Sequence, residues 1–448
     1  MREGSLQGTA WLPELPGDAC CGCGACAAAC PAHCIEMAPD GCGFARPRVS
    51  AGRCVACRRC ESVCPSLNLR QERDTALGSF WARSNKREDL STSSSGGVFG
   101  LLADAILAEG GSVYGAAWTE DWDVAHVRAD DVAGVSRLKK SKYVQSLVRA
   151  DVYEGVRGDL TKGGRVLFSG TGCQIAALRS YLGRAADSEG LLCVEVICHG
   201  VPSPKLWRMY VDWLQRERGA RLSAFSFREK IPSWEHYSVR AEFSDGSSWQ
   251  APYMECWYMA AFMGDLSLRQ SCYRCPFKRR SGSDIVLGDF WGIGDLGLGI
   301  DFDEGVSAVI ANTERGCDAV AGLASCEIGE ASYRGVLSGN RSLEEPARIP
   351  EGREGFLRAL ERETDLAPLM GEWPFDAGRL GLWAGRIGKV RDLASECGVG
   401  RTAAMSVKTM GKAVAMLARG ADRETLRKMA AVAVSELREK ARGDRERR

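Results

Sequence analysis

Residues 20–65 read CCGCGACAAACPAHCIEMAPDGCGFARPRVSAGRCVACRRCESVCP, and the cysteines of this run fall on a repeat. A shift of 34 residues superposes Cys20, Cys23, Cys26, Cys30 and Pro31 on Cys54, Cys57, Cys60, Cys64 and Pro65. A segment this short buries no apolar core of its own, so it must be organised by what its cysteines bind. Eleven of the chain's 20 cysteines lie between residues 20 and 64. A secreted disulfide scaffold is the rival use of so many thiols. The opening MREGSLQGTAWLPELPG, however, has no basic-then-apolar signal region. Reduced thiols that hold metal, in a cytoplasmic setting, are the expectation.

The spacing of both halves, Cys-x2-Cys-x2-Cys-x3-Cys-Pro, is that of a bacterial ferredoxin. Three thiolates set two residues apart wrap one face of a cubane, and the fourth, on the short helix that follows, points at the other cluster. Zinc would use cysteine pairs with one long gap and has no need of the third close cysteine or the trailing Cys-Pro. Residues 18–68 thus resemble a two-cluster ferredoxin domain. By that pattern Cys20, Cys23, Cys26 and Cys64 hold one 4Fe-4S cluster, and Cys54, Cys57, Cys60 and Cys30 the other. Cys21, Cys34 and Cys42 are spare; Cys21 competes with Cys20 as a ligand, but only Cys20 keeps the repeat. Two adjacent clusters make an electron wire, and the rest of the chain should supply its terminus.

The chain has 448 residues, enough for about three domains at roughly 150 residues each, with 45% hydrophobic and 26% charged residues. Lys+Arg 59 against Asp+Glu 58 removes the usual charge argument for a nucleic-acid partner. No transmembrane segment is expected, since the most apolar window, GGVFGLLADAILAEGG, carries Asp104. An N-terminal arm (1–17), the ferredoxin-like domain (18–68) and a polar connector (70–78) precede a body at 79–340. There SVYGAAW, RVLFSG and LLCVEVIC alternate with amphipathic helical runs, which predicts an α/β body with a largely parallel sheet. LSAFSFRE, YSVRAEF and SDIVLGDF add strands, some of them antiparallel. A helical, basic region fills 350–448, where residues 377–448 hold 17 Lys/Arg against 8 Asp/Glu. It is read either as an appendage packed on the body or as a peripheral dock for an acidic partner or anionic membrane surface.

Four cysteines of the body look placed. Cys173 follows the strand VLFSG through Gly170-Thr171-Gly172 and opens a helix, which sets its sulfur at the positive helix end. Cys198 ends the strand CVEVIC and precedes His199-Gly200, while Cys272 and Cys275 form a CxxC. In a parallel sheet the first two share the carboxyl edge, where open α/β sheets bind ligands. Together the four are candidates for a third 4Fe-4S cluster, with zinc or unrelated structural roles as alternatives. Cys193, Cys256, Cys317, Cys326 and Cys397 default to packing.

Several runs in this order resemble the coenzyme F420 hydrogenase/dehydrogenase beta-subunit family. They are Ser94-Ser95-Gly96-Gly97, Lys142-Tyr143-Val144-Gln145-Ser146, Gly170-Thr171-Gly172-Cys173-Gln174, Cys198-His199-Gly200-Val201-Pro202-Ser203, Cys272-x2-Cys275 and Ser283–Gly292 (SDIVLGDFWG). Gly172 stands where the family often has Pro. The resemblance implies a flavin (FAD) beside a 4Fe-4S cluster, hydride exchange with the deazaflavin coenzyme or another small two-electron substrate, and single electrons passed to a redox protein or enzyme partner. Candidate flavin contacts are Ser95, Gly96 and Gly97 at a helix start, Lys142, Tyr143 and Gln145 after Lys139 and Lys140, and Thr171. Arg228, Lys230 and Asp289 are weighed beside them, each against an ordinary structural role, and His199 is the candidate proton donor. An oxidoreductase is the expectation; a flavin-free electron carrier and an adaptor with structural clusters are its rivals.

Overall fold

The computed structural model describes residues 17–373 apart from Leu298 and Asp301. Most of the N-terminal arm and the basic stretch 377–448, with its expected docking role, lie outside the described residues.

In the cysteine-rich segment the sequence repeat is also a conformational repeat. One-turn helices Ala25–Ala28 and Arg59–Ser62 each follow a left-handed residue, Gly24 (φ 82°) and Arg58 (φ 56°). Two residues earlier Gly22 (φ 65°) and Ala56 (φ 54°) are left-handed as well. This alternation curls the backbone around the middle cysteine of each half. Only glycine adopts it freely, so Ala56 and Arg58 hold strain that the loop must be constrained to keep. Between the halves strands β1 (Ile35–Pro39) and β2 (Ala45–Val49) pair antiparallel.

The segment seats on the body through backbone and small side chains. A Cβ on Gly24 would lie 2.3 Å from the Val148 carbonyl oxygen, so only glycine allows the approach. Ala25 and Ala29 pack against Val148, Val152 and Tyr153. The Tyr153 hydroxyl donates to the Cys23 carbonyl at 2.7 Å, and the Ala45 N–H donates to Gln145 Oε1 at 3.0 Å.

The body is α/β, built on a nine-stranded mixed sheet. Its strands are β3 (Gly78–Ser84), β4 (Ser112–Trp118), β5 (Val124–Ala129), β6 (Ser146–Leu147), β7 (Val166–Thr171), β8 (Leu191–Val196), β12 (Ile285–Asp289), β13 (Ser307–Ala311) and β14 (Cys326–Glu330). They lie in the order β14-β3-β13-β12-β8-β7-β4-β5-β6. The central four, β12, β8, β7 and β4, run parallel, with Phe168 beside Cys193 and Ile285 beside Val194. Their apolar runs are buried on both faces, as parallel strands covered by helices must be. Antiparallel strands flank them.

A second, antiparallel sheet of β9 (Leu222–Glu229), β10 (Ser238–Phe243) and β11 (Ser248–Pro252) forms an aromatic core with the helix Pro204–Arg218 and the helix Trp257–Met263. Trp207, Phe225, Phe227 and Tyr258 meet there at ring separations of 4.8–5.7 Å. The expected strands LSAFSFRE and YSVRAEF belong to this second sheet. Its β9 brings Arg228 over the carboxyl ends of the parallel strands. Among the described residues no helix is long and apolar enough to cross a membrane.

Candidate functional site

The cysteines of the two halves are mixed in space. Cys26 feels the charge of Cys20, Cys64 and Cys60, which joins residues of both repeats around one hollow; Cys20, Cys23, Cys26 and Cys64 line it. Cys60 in turn feels Cys30. The first group is largely buried, whereas Cys54 and Cys57 lie on an exposed loop that also carries Val55 at 67% exposure. Of the spare cysteines, Cys34 places its sulfur 3.3 Å from that of Cys30. Cys42 turns away to Glu361 at 3.7 Å.

In the body, Thr171 ends β7 and caps the helix Gly172–Leu182. Its backbone N–H donates to Gln174 Oε1 at 2.9 Å, and its hydroxyl lies 3.2 Å from Cys173 Sγ. Cys198 lies two residues beyond β8 rather than within it. Cys173, Cys198, Cys272 and Cys275 nevertheless line one hollow, together with Glu195, His199, Arg269 and Lys278. Cys21, adjacent in sequence to Cys20, lines it too.

The electrostatics of this hollow differ from the sequence expectation. A helix N-terminus alone would ease ionisation of Cys173, but a hydrogen bond with Cys21, and then burial, hold its thiol well above the usual range. Burial raises Cys198 as well, against the pull of Lys278, and pushes Cys275 up to about 12. Arg269 supplies one fixed positive charge. Burial disfavours the charge of its guanidinium, which the sulfurs of Cys272, Cys173, Cys21 and Cys20 favour once they carry thiolate charge. Its Nε donates to Ser271 Oγ at 3.1 Å and Nη2 reaches Cys173 Sγ at 3.9 Å. A buried guanidinium whose neighbours are thiols suits a site that carries net negative charge when loaded. Among the described residues no three His, Cys, Asp or Glu side chains gather tightly enough to hold a single metal ion.

Beside this hollow lies a cavity of about 680 Å³, within the range of cofactor sites. The ends of β7, β8 and β12 form its floor, the start of the helix Val98–Ala108 one wall, and Arg228, Tyr237 and Tyr253 of the second sheet another. The helix start has no side-chain cap, so its first N–H groups are open to an anion. Ser95, Gly97, Lys142, Tyr143, Gln145, Thr171 and His199 all line the cavity. Gly96 packs instead against β3 and β13, where a Cβ would come within 2.3 Å of the Ala82 oxygen.

Several lining residues are already engaged. Gln145 spends its amide on Ala45, and Ser95 Oγ donates to the Val306 carbonyl at 2.9 Å. Lys139 and Lys140 pair with Asp89 at 3.8 Å and Glu229 at 2.6 Å. Lys230 ties down the Leu90, Ser95 and Glu304 carbonyls at 2.6–2.7 Å. Arg228, 2% exposed, makes a bidentate pair with Asp289 at 2.9 and 3.0 Å and stacks over Tyr237 at 4.0 Å. Its Nε is buried with no hydrogen-bond partner. His199 Nε2 meets Asp265 Oδ1 at 2.5 Å, and Nδ1 meets Ser342 Oγ at 3.3 Å. Sequence reasoning missed Arg269, Tyr237 and the part played by Cys21, none of which sits in a recognisable local pattern.

Lys142 donates to the carbonyls of Leu138, Lys139 and Lys140 at 2.8–3.3 Å, and burial lowers its amine to about 7. Between that value and the unfolded lysine value of about 10, the unfolded chain binds a proton that the folded chain does not, so stability rises with pH. Thermal melts at pH 7 and pH 9 are therefore expected to show a gain in the wild type that Lys142→Met lacks. Equal gains in both proteins would remove Lys142 as the source.

Residues 19–68 match the 4Fe-4S dicluster domain. Residues 163–332 match the family that describes the C-terminal part of the coenzyme F420 hydrogenase/dehydrogenase beta subunit. That region is similar to the beta-subunit family. The two matches give the chain iron–sulfur clusters and an oxidoreductase's electron-transfer role. The beta-subunit region supplies Cys173, Cys198, Cys272 and Cys275, while the helix start at Gly97 and the loop at Lys142 lie before it. A chain in the F420-reducing [NiFe] hydrogenase complex from Methanosarcina barkeri, solved with xenon derivatization, is 16% identical with a TM-score of 0.41. The alignment covers 63% of this chain and 99% of that one. No curated protein matches.

Proposed function

We propose that the protein is an iron–sulfur flavoprotein that exchanges a hydride at the large cavity and passes single electrons through Cys173, Cys198, Cys272 and Cys275 to the dicluster segment. The observation that carries this reading is a shared wall. Cys173, Cys198, His199 and Arg269 line both the four-cysteine hollow and the cavity, so a two-electron cofactor and a third 4Fe-4S cluster would lie against each other. Bound FAD would supply the conversion between hydride and single-electron chemistry.

The chain's residues have definable parts in this. The open helix start at Gly97 binds a phosphate through backbone N–H groups. Arg228, stacked on Tyr237 and paired with Asp289, forms with that ring a flat wall for a conjugated ring system. With Asp265 at Nε2, His199 Nδ1 accepts from the Ser342 hydroxyl at the cavity wall; a proton released in the cavity passes to Ser342 as Ser342 hands its own to Nδ1, and Asp265 stabilises the imidazolium that forms. The deazaflavin coenzyme is the first hydride donor to test, with nicotinamide next.

The test is anaerobic. Purified protein should release a yellow chromophore on denaturation, and stopped-flow mixing with reduced deazaflavin should bleach the flavin band before the cluster band. Protein free of flavin after anaerobic purification, and without affinity for added FAD, overturns the reading in favour of a pure electron carrier.

A further inference from the structure

Three hollows meet at one side chain. Cys21 lines the first-cluster hollow with Cys20, Cys23, Cys26 and Cys64, the four-cysteine hollow of the body, and the large cavity; among the described residues it alone borders all three. It is 5% exposed and packs on Cys173 and Phe277. Its peptide bond joins it directly to Cys20. Its neighbour Gly22 is left-handed, and a Cβ there would strike Gln145 Nε2 at 2.5 Å and the Ala45 oxygen at 2.7 Å. The backbone around Cys21 is thereby clamped. Nearby, Arg269 lines the hollow that Cys21 and Cys173 share, with Nη2 3.9 Å from Cys173 Sγ.

We propose that Cys21 is a positioning residue for electron transfer, coupling the first dicluster site to the four-cysteine site without ligating either. The route is short. It runs from Cys20 Sγ through its own bonds and one peptide unit to the Cys21 side chain, and across the packing contact of that side chain with Cys173. One electron leaves a reduced centre at one end, which is oxidised by one, and reduces the centre at the other; no proton and no bond changes hands at Cys21. Arg269, fixed between the two sites, favours the added negative charge on either side. This inference rests on the reading of Cys173, Cys198, Cys272 and Cys275 as a cluster site.

The experiment compares the full chain with Cys21→Ala and Cys21→Ser, reconstituted anaerobically. Iron content is expected to stay at about 12 atoms per chain in both. Each cluster's own electron paramagnetic resonance signal should persist. The magnetic interaction between neighbouring reduced clusters should weaken, and electron transfer between them should slow several-fold in Cys21→Ala and less in Cys21→Ser, which keeps a polar contact to Cys173. A merely structural role would leave the spin interaction as it is. Unchanged interaction and rate in Cys21→Ala overturn the proposal. So does a fall of about four iron atoms in that variant, which would make Cys21 a ligand. A wild type that itself binds only about eight iron atoms refutes the underlying cluster reading, and is told apart from the other outcomes because no variant is needed to see it.

Discussion

Cys198→Ser is expected to lower bound iron from about 12 to about 8 atoms per chain, while the hydride donor still reduces the flavin and the dicluster segment stays oxidised. The residue stands two positions past β8, on the wall between the four-cysteine hollow and the large cavity. Its thiol is buried, so a cluster held there would be shielded from solvent on that side. Serine, with a far higher pKa than a thiol, does not take that place. The dicluster cysteines come from another part of the chain, so their iron should be unaffected, and the proposed flavin contacts at Gly97 and Arg228 remain. Metal analysis and stopped-flow spectra at the flavin and cluster bands measure the two effects separately. Unchanged iron, or clusters that bleach at the wild-type rate, would sink the proposed path.

Arg228→Ala should cost about 3–5 kcal/mol of stability, the range for removing one partner of a buried ion pair. The loss leaves Asp289, which also accepts from Trp234 Nε1 at 2.8 Å, without its bidentate partner. It also removes the cation stacked between Tyr237 and Trp291. Arg228→Met with Asp289→Leu removes both charges and keeps the volume, and should recover most of the loss, yet FAD should bind it poorly because the guanidinium stacked on Tyr237 is gone from the cavity wall. Thermal melts and FAD titration separate the two effects. A single variant as stable as wild type would show that the pair contributes little; a double variant that binds FAD normally would take Arg228 out of the cofactor's contacts.

What was legible in the sequence was mostly local. The 34-residue repeat of Cys-x2-Cys-x2-Cys-x3-Cys fixes its own backbone, including left-handed residues at matching positions, since a loop that wraps three thiols around one centre has few conformations. The strands of the body announce themselves as apolar runs, and Thr171 before Cys173 is a helix cap readable from residue types. Pairings across long separations were not legible. Arg228 and Asp289 lie 61 residues apart and were weighed singly, as cofactor contacts or structural groups. Gln145 sits in a run that resembles a cofactor loop, yet its amide holds the dicluster segment, because that segment docks where the loop passes. Cys21 looked spare for the same reason: its meaning depends on where Gly24 lets the segment settle against Val148.

The uneven burial of the cysteines sets an order of decay in air. Cys54 and Cys57 stand in solvent, whereas Cys20, Cys26, Cys64 and Cys173 are each less than a tenth exposed. Oxygen and peroxide attack what they can reach, so oxidative damage starts at the outer loop and works inward. A sample handled carelessly would lose the thiols of the outer loop first while the buried ones stayed reduced, so a titration of total free thiol would understate the damage.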